Sequence, residues 1–101
     1  MLNWTPAEEA FLRSQRVGHL ATVGPNGWPH AMPVMYTVGE DCSFEFDADG
    51  VKLRNLLAEP RVAFVVDAIQ PKRGIAIQGR AHEVGPERVR LVADRRFCWG
   101  L

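Results

Sequence analysis

The sequence predicts a mainly β fold in which largely antiparallel strands close into a barrel flanked by short helices. Pro25-Asn26-Gly27 separates two runs of β-branched, aromatic and apolar residues, the strongest short-range signal of a β-hairpin. Residues 61–67 are almost continuously apolar, and residues 74–84 alternate apolar with polar side chains, so both patterns predict strands. The links between these runs are short, which favours antiparallel neighbours, and an antiparallel sheet hides its edges by closing.

A helix is predicted at the start of the chain. Thr5 is its N-cap, Pro6 occupies its first position and Glu8 completes a capping box. The apolar spacing carries the helix to about Arg16, and Gly18 ends it before the hairpin.

The second strand of the hairpin contains two prolines, Pro29 and Pro33, four residues apart and therefore on the same side. Proline has no N–H to give to a neighbouring strand, so these positions should face an edge, a bulge or a ligand. Another molecule could lie against this stretch of main chain.

The middle of the chain predicts a turn at residues 39–41, a short strand at residues 42–47 and a helix from Val51 to Ala58. Asp49 is the expected helix cap, and Pro60 prevents the helix from continuing.

The last third of the chain predicts two strands and a helix. Residues 61–67 should be a strand buried on both faces, and residues 74–84 a strand with one wet face. Gly85-Pro86-Glu87 should begin a final helix, whose apolar face is formed by Val89, Val92, Ala93 and Phe97.

Length and charge restrict the class of protein. A chain of 101 residues predicts one domain spanning residues 1–101, small enough that a partner subunit would help to stabilise it. Twelve basic residues balance twelve acidic ones, which argues against a nucleic-acid binder or a protein of anionic membranes. The sequence contains no signal peptide or long apolar run, so we expect a cytoplasmic protein.

Neither the cysteines nor the histidines predict a metal site. Cys42 and Cys98 are too few for a disulfide framework and lack zinc-ligand spacing, so we expect two reduced thiols. His19, His30 and His82 lie on predicted strands without the tight spacing that zinc ligands show.

Lys52 and Arg54 lie in the first turn of the predicted middle helix. A helix amino terminus offers free N–H groups and partial positive charge, and a lysine there adds a point charge suited to a phosphate. The spacing alone is also compatible with an ordinary solvated pair on the surface, which is the commoner situation for these residue types. No pattern in the chain predicts a nucleophile or an acid–base pair, so an enzyme of this sequence would need a cofactor to carry its chemistry.

Several sequence blocks, in order, resemble the pyridoxamine 5′-phosphate oxidase-like superfamily. The blocks are residues 16–23, 26–30, 33–34, 52–56, 59–63 and 79–81, and together they span roughly residues 11–84. Each block is weak alone, whereas the ordered set is fairly specific.

The resemblance implies a split β-barrel of about six strands and a homodimer with two sites at its interface for flavin mononucleotide (FMN) or the deazaflavin coenzyme F420. Lys52 would help to hold the cofactor phosphate, with Arg54 as a further candidate. The strand backbone at Pro33, Val34, Met35 and Tyr36 would lie by the ring system, and Thr22 would lie on the neighbouring strand.

The function implied is a flavin- or deazaflavin-dependent oxidoreductase that transfers a hydride between the cofactor and a small molecule. The alternative is a non-catalytic split-barrel protein that stores or senses a flavin, a deazaflavin or a haem-like ligand. Asp47, Asp49 and Val51 depart from the family pattern, because many relatives carry neutral or basic residues there. Negative charge near a phosphate would lower its affinity.

Overall fold

The structure, a computed structural model, describes residues 2–101. Its helices are α1 (Pro6–Ser14) and α2 (Gly50–Ala58). Its strands are β1 (Val17–Val23), β2 (Pro29–Val38), β3 (Ser43–Asp47), β4 (Arg61–Ala68), β5 (Arg73–Gly85) and β6 (Arg88–Trp99). No helix within these described residues is long and apolar enough to cross a membrane.

The six strands form a closed barrel in the order β1-β2-β3-β6-β5-β4, and every neighbouring pair is antiparallel. The predicted mainly β barrel with short flanking helices is therefore confirmed. Closure pairs the first and fourth strands, His19 lying opposite Val65. Inward positions alternate with outward ones, so each strand gives one face to the core.

The barrel interior is filled by packed aromatic rings. The rings of Phe44 and Phe64 lie 5.1 Å apart, and the ring of Tyr36 meets each of them edge-on at 5.5 Å. The Tyr36 hydroxyl donates a hydrogen bond of 2.6 Å to the carbonyl of Leu12 in α1. Burial raises the pKa of Tyr36 to about 12.

Helix α1 closes the end of the barrel where β1 begins. The predicted capping box is present, since the Glu8 N–H donates to Thr5 and the Thr5 N–H donates to Glu8. The helix ends at Ser14, two residues before the predicted end. Oε2 of Glu8 also accepts from Sγ of Cys98 and lies 2.8 Å from Nε of Arg96, which ties the helix to β6.

The β1–β2 hairpin turns through residues 24–28 rather than through Asn26-Gly27 alone. The Gly27 N–H donates to the Gly24 carbonyl, and the Gly24 N–H donates to the Trp28 carbonyl. Within this turn Gly27 has positive φ, +79°, whereas Asn26 does not. Pro25 at the second position of a type I turn explains the longer loop, because its fixed φ suits that position.

The predicted final helix is wrong, because residues 88–99 form strand β6. Val89, Leu91 and Ala93 alternate into the core, as they do in a strand. The ladder between β5 and β6 then shifts, since Gln78 pairs with Arg95 and Gly79 with Ala93. This bulge changes which side later residues face, so Phe97, like Val92, lies on the outer surface rather than on one apolar face with Val89 and Ala93.

Candidate functional site

One edge of strand β2 is open over residues 29–34, and we refer to this segment as the open edge. Strand β3 pairs with β2 only from Tyr36 to Val38, so the two strands separate before the hairpin. On the other side, β1 pairs with β2 along residues 29–35. The barrel is therefore split between β2 and β3.

The prolines lie on the open side of β2, as their positions predict. The Tyr36 N–H bonds to the Arg16 carbonyl and the Gly24 N–H to the Trp28 carbonyl, which fixes the alternation of hydrogen bonds between β1 and β2. By that alternation, the main-chain groups of Pro29, Ala31 and Pro33 point away from β1. The open edge thus offers the N–H of Ala31 and three carbonyls to another molecule.

The four strand residues predicted to lie by a cofactor ring are not equivalent. Val34 and Tyr36 direct their side chains into the core, and their main chain faces β1. Pro33 and Met35 are exposed, and Met35 lies at the fork where β3 leaves β2. Only Pro33 and Met35 can therefore touch a ligand outside the barrel directly.

The amino terminus of α2 lies immediately after β3, as predicted. Asp49 is the N-cap residue, as predicted, but its side chain makes no capping hydrogen bond. Oδ1 of Asp49 instead accepts from Nζ of Lys52 at 3.3 Å. The first-turn N–H groups of α2 therefore have no side-chain acceptor at the cap, which leaves them available to an anion.

The side chains of Lys52 and Asp49 differ in how far they are exposed to solvent. The Lys52 side chain is 17% exposed and the Asp49 side chain is 76% exposed. A pair with one solvated partner is weak, so a phosphate could displace the Asp49 carboxylate. Arg54 is exposed in the same helix. Asp47 lies 3.1 Å from Nη1 of Arg88, which offsets its charge.

Thr22 lies inside the barrel and holds α2 in place. Its side chain is fully buried, and Oγ1 accepts a hydrogen bond of 3.1 Å from Nδ2 of Asn55. His30 faces Thr22 across the β1–β2 ladder, and its Nδ1 is buried without a hydrogen-bond partner among residues 2–101. Thr22 thus positions the helix rather than presenting a hydroxyl to solvent.

These features fit a phosphate-bearing planar cofactor. Lys52 and the free N–H groups of α2 provide the donors that a phosphate needs. The open edge provides polar main-chain groups beside exposed Pro33 and Met35, an arrangement suited to the rim and face of a ring system. The unpartnered Nδ1 of His30 adds one further polar atom to the region around α2.

Sequence reasoning missed the contribution of β6 and of Asn55. Because a helix was predicted to begin at Gly85-Pro86-Glu87, the sequence did not indicate that β6 would bring arginines to the outer surface of the barrel. Asn55 belongs to the Lys-x-x-Asn block, but nothing in the sequence alone pairs it with Thr22, 33 residues away.

Both cysteines are free thiols, as predicted, with Cys42 buried and Cys98 exposed. Burial raises the pKa of Cys98 to about 11, and the hydrogen bond to Glu8 contributes to the rise. Cys98 is therefore a thiol rather than a reactive thiolate at neutral pH.

Comparison of the sequence with those of known proteins identifies relatives of this chain. The sequence profile described as pyridoxamine 5′-phosphate oxidase matches residues 4–96. A 5a,11a-dehydrotetracycline/5a,11a-dehydrooxytetracycline reductase from Streptomyces rimosus is 33% identical, over 97% of this chain and 84% of that protein.

Several solved structures share the fold. A FAD-binding protein from Mesorhizobium loti superposes with a TM-score of 0.78 at 20% identity, covering 92% of this chain and 90% of its own. An F420 reductase superposes with a TM-score of 0.69 at 24% identity, covering 88% and 92% respectively. At such identities the likeness concerns the fold alone.

Proposed function

The chain belongs to the pyridoxamine 5′-phosphate oxidase family, and on this premise we propose that it is a flavin- or deazaflavin-dependent reductase of a small molecule. The observation that carries the proposal is the combination of the open edge with the uncapped amino terminus of α2. The open edge suits a planar ring, and the amino terminus of α2 suits a phosphate. Both lie where β2 and β3 separate.

The phosphate group is held, in this proposal, by Lys52, with the first-turn N–H groups of α2. Arg54 lies in the same helix and adds positive charge to the surface that the phosphate approaches. Asp49 releases Lys52 when the phosphate binds, since its own carboxylate is solvated. Thr22 contributes indirectly, because its bond to Asn55 holds α2 at this position.

The ring system lies along β2, with Pro33 and Met35 on the exposed side of the strand. Val34 and Tyr36 hold the strand from within by burying their side chains in the core. The bound cofactor supplies hydride transfer, and the chain supplies position and a slot that excludes water. FMN and F420 both carry a ring and a phosphate, so either satisfies this arrangement.

The substrate is a small molecule with a double bond that can accept a hydride. The name of the Streptomyces rimosus relative describes the reduction of a dehydrogenated polycyclic compound. We extend that chemistry to this chain as a class, an electron-poor carbon–carbon double bond in a conjugated ring system.

A second copy of the chain covers the site in this proposal. One end of the outer barrel surface forms an apolar belt, which we define as Val17, Pro33, Met35, Val65, Ala76 and Phe97. Val17 lies opposite Met35, Val65 opposite Ala76, and Ala76 opposite Phe97, whereas His19 lies between Pro33 and Val65. Met35 and Phe97 are 71% and 54% exposed, so a partner would bury substantial apolar surface.

The proposal is tested by cofactor binding followed by turnover. The purified protein is titrated with FMN and with F420, and the loaded protein, reduced beforehand, is mixed with 5a,11a-dehydrotetracycline. We expect micromolar or tighter binding of one cofactor and its reoxidation by the substrate. Failure to bind either cofactor contradicts the proposal. Binding without reoxidation by any conjugated acceptor favours the alternative, a protein that stores or senses its ligand.

A further inference from the structure

A groove of about 830 Å³ lies on the outer surface of the barrel, at the end covered by α2. Its base includes Ala21, Ala63 and Gln78, which are successive cross-strand neighbours on β1, β4 and β5. Ala21 and Ala63 point outward with side chains of one carbon, so the base is flat and mostly apolar. Neighbouring strands lie about 4.8 Å apart, which makes the three-strand base roughly 10 Å wide.

The groove shares no residue with the apolar belt, although Ala63 and Gln78 lie two residues from Val65 and Ala76 on the same face of β4 and β5, and it is continuous with the open edge. The belt lies toward the α1 end of the same outer surface, whereas the groove lies toward the α2 end. Pro29 lines the groove and is also the first residue of the open edge. A molecule in the groove would therefore lie beside the strand on which we propose that the cofactor ring rests.

The β-bulge in β6 gives the groove its charged wall. Because Gln78 pairs with Arg95 and Gly79 with Ala93, Asp94 is left without a partner in the ladder. Asp94 and Arg95 are consequently both exposed, and both line the groove. Gly79 permits this close packing, since a Cβ at that position would collide with the carbonyl of Val92.

The wall carries one more positive charge than negative. Arg61 is held by Glu59 at 2.6 Å, and Arg80 lies 3.4 Å from Asp94. Arg95 makes no ion pair with any of the residues the structure describes. The guanidinium of Arg95 is thus free to bind an oxyanion, and its planar fork suits a carboxylate or an ionised phenol.

We propose that this groove binds a planar, anionic small molecule, with its rings on the base formed by Ala21 and Ala63 and its charged oxygen on Arg95. The volume lies within the usual range of small-molecule sites. In the reductase proposed above this molecule is the substrate, and that identification rests on the proposed function. The proposal that the groove binds such a molecule does not rest on the proposed function, because that binding depends only on the groove.

The test uses two dyes of similar shape and different charge. 8-Anilino-1-naphthalenesulfonate is an anion with a planar naphthalene ring, and N-phenyl-1-naphthylamine is its uncharged counterpart. Both are titrated against the wild-type protein, the Arg95→Gln variant and the Arg16→Gln variant. Arg16 is the matched control, because it is exposed, lies outside the groove and makes no side-chain ion pair within residues 2–101.

Arg95→Gln should weaken binding of the anionic dye about three- to tenfold, since it removes a charge-assisted contact at a partly solvated site. It should leave the uncharged dye unaffected, and Arg16→Gln should change neither. Ala63→Leu should weaken both dyes, because it fills the base of the groove. Circular dichroism and the thermal midpoint establish that each variant is folded. If Ala63→Leu is unstable, Arg95→Gln decides the result, because Arg95 is exposed and its replacement should not disturb the fold.

Three results would overturn the proposal. The first is an equal affinity of the anionic dye for wild type and Arg95→Gln. The second is displacement of the dye by FMN, which would make the groove part of the cofactor site. The third is a loss of dye binding that increases as the dimer forms, which would make the groove part of the dimer interface. Cofactor titrations of Arg95→Gln run in parallel, so that a failure to bind cofactor is distinguished from a failure of the groove.

Discussion

At the scale of single residues, the candidate site depends on a competition between Asp49 and a ligand for Lys52. The two side chains are 3.3 Å apart, and Asp49 is largely solvated. An exposed ion pair contributes at most about 1 kcal/mol, whereas a hydrogen bond to a charged group contributes about 1.5–3 kcal/mol. In the proposed function, a phosphate that also receives the N–H groups of α2 is therefore expected to displace Asp49.

Tyr36 gives a prediction that concerns stability alone. Removing its hydroxyl in Tyr36→Phe leaves the Leu12 carbonyl without its 2.6 Å hydrogen bond, so the free energy of unfolding should fall by about 1–2 kcal/mol. Denaturant titration measures this loss. An unchanged midpoint would mean that water replaces the hydroxyl.

The same residue predicts how stability changes at high pH. Burial raises the pKa of Tyr36 from 10.0 to about 12, so the unfolded chain ionises first. The stabilisation is complete below pH 10 and is lost as the pH rises toward 12, by about 2–3 kcal/mol in total. Tyr36→Phe should lack this part of the alkaline loss, which denaturant titrations of both proteins between pH 9 and pH 12 can measure.

The sequence predicted some of these residues because their signals are local. Lys52 was predicted from its place in the first turn of a helix that follows a strand, and the prolines were predicted from their missing N–H groups. Local signals cannot report which side chains meet across the fold. The bond from Asn55 to Thr22 and the free Arg95 beside Gln78 both depend on strand register, which the sequence alone did not provide.

At the scale of elements, α1 is attached to β6 through one carboxylate. Burial raises the pKa of Glu8, but hydrogen bonds from Cys98 and Thr5 and the charge of Arg96 outweigh it, so the pKa lies below its usual value. Glu8 thus contributes stability that is present above pH 4.5 and is lost as the pH falls through its lowered pKa.

Glu8→Gln should therefore destabilise the protein at pH 7 by about 2–3 kcal/mol, because Arg96 loses a buried charged partner. The difference from wild type should shrink as the pH falls below 4.5, since protonated Glu8 resembles glutamine. Glu9→Gln is the matched control on the same helix, because its pair with Arg13 is exposed and should contribute less than about 0.5 kcal/mol. Equal effects of the two variants would contradict this account.

The attachment of α2 to the hairpin gives a second prediction at this scale. Thr22→Val removes the acceptor for the buried Asn55 amide, so stability should fall by about 1–3 kcal/mol. Thr37→Val, an exposed threonine on β2, should stay within about 0.5 kcal/mol of wild type. Urea unfolding of the two variants makes the comparison. A loss no larger for Thr22→Val than for Thr37→Val would mean that α2 is held by its apolar contacts alone.

Strand β6 explains why the last third of the fold could not be predicted fully. Val89, Val92, Ala93 and Phe97 lie at spacings of three and four, which a helix would place on one face. In the strand, Leu91 and not Val92 points inward, and the bulge at Asp94 then resets the alternation. A bulge is specified by its partner strand, here by Gly79, so its position is not visible in β6 itself.

At the scale of the whole molecule, closure of the barrel leaves the apolar belt exposed. Because the proposed dimer buries Phe97 twice, Phe97→Asp should raise the dimer dissociation constant by roughly two to three orders of magnitude. Leu57→Asp, an exposed leucine on α2 outside the belt, should leave it unchanged. Sedimentation velocity at micromolar concentration measures both variants. A wild-type protein that sediments only as a single chain would exclude the dimer.

The molecule as a whole brings the amino terminus of α2 and an open strand edge together at one split in its barrel, and the central claim is that Lys52 anchors a cofactor phosphate there. The most direct measurement compares FMN with riboflavin, which lacks the phosphate. Titrations use wild type, Lys52→Ala and Lys72→Ala, the last being the chain's other lysine and the matched control.

We expect Lys52→Ala to weaken FMN binding by roughly one to two orders of magnitude, because a charge-assisted hydrogen bond of about 1.5–3 kcal/mol is lost. Riboflavin binding should be unchanged, and Lys72→Ala should affect neither ligand. Equal weakening of FMN and riboflavin by Lys52→Ala would contradict the claim, because Lys52 would then act through the fold or the ring. An unchanged affinity for FMN would mean that Lys52 is an ordinary surface lysine.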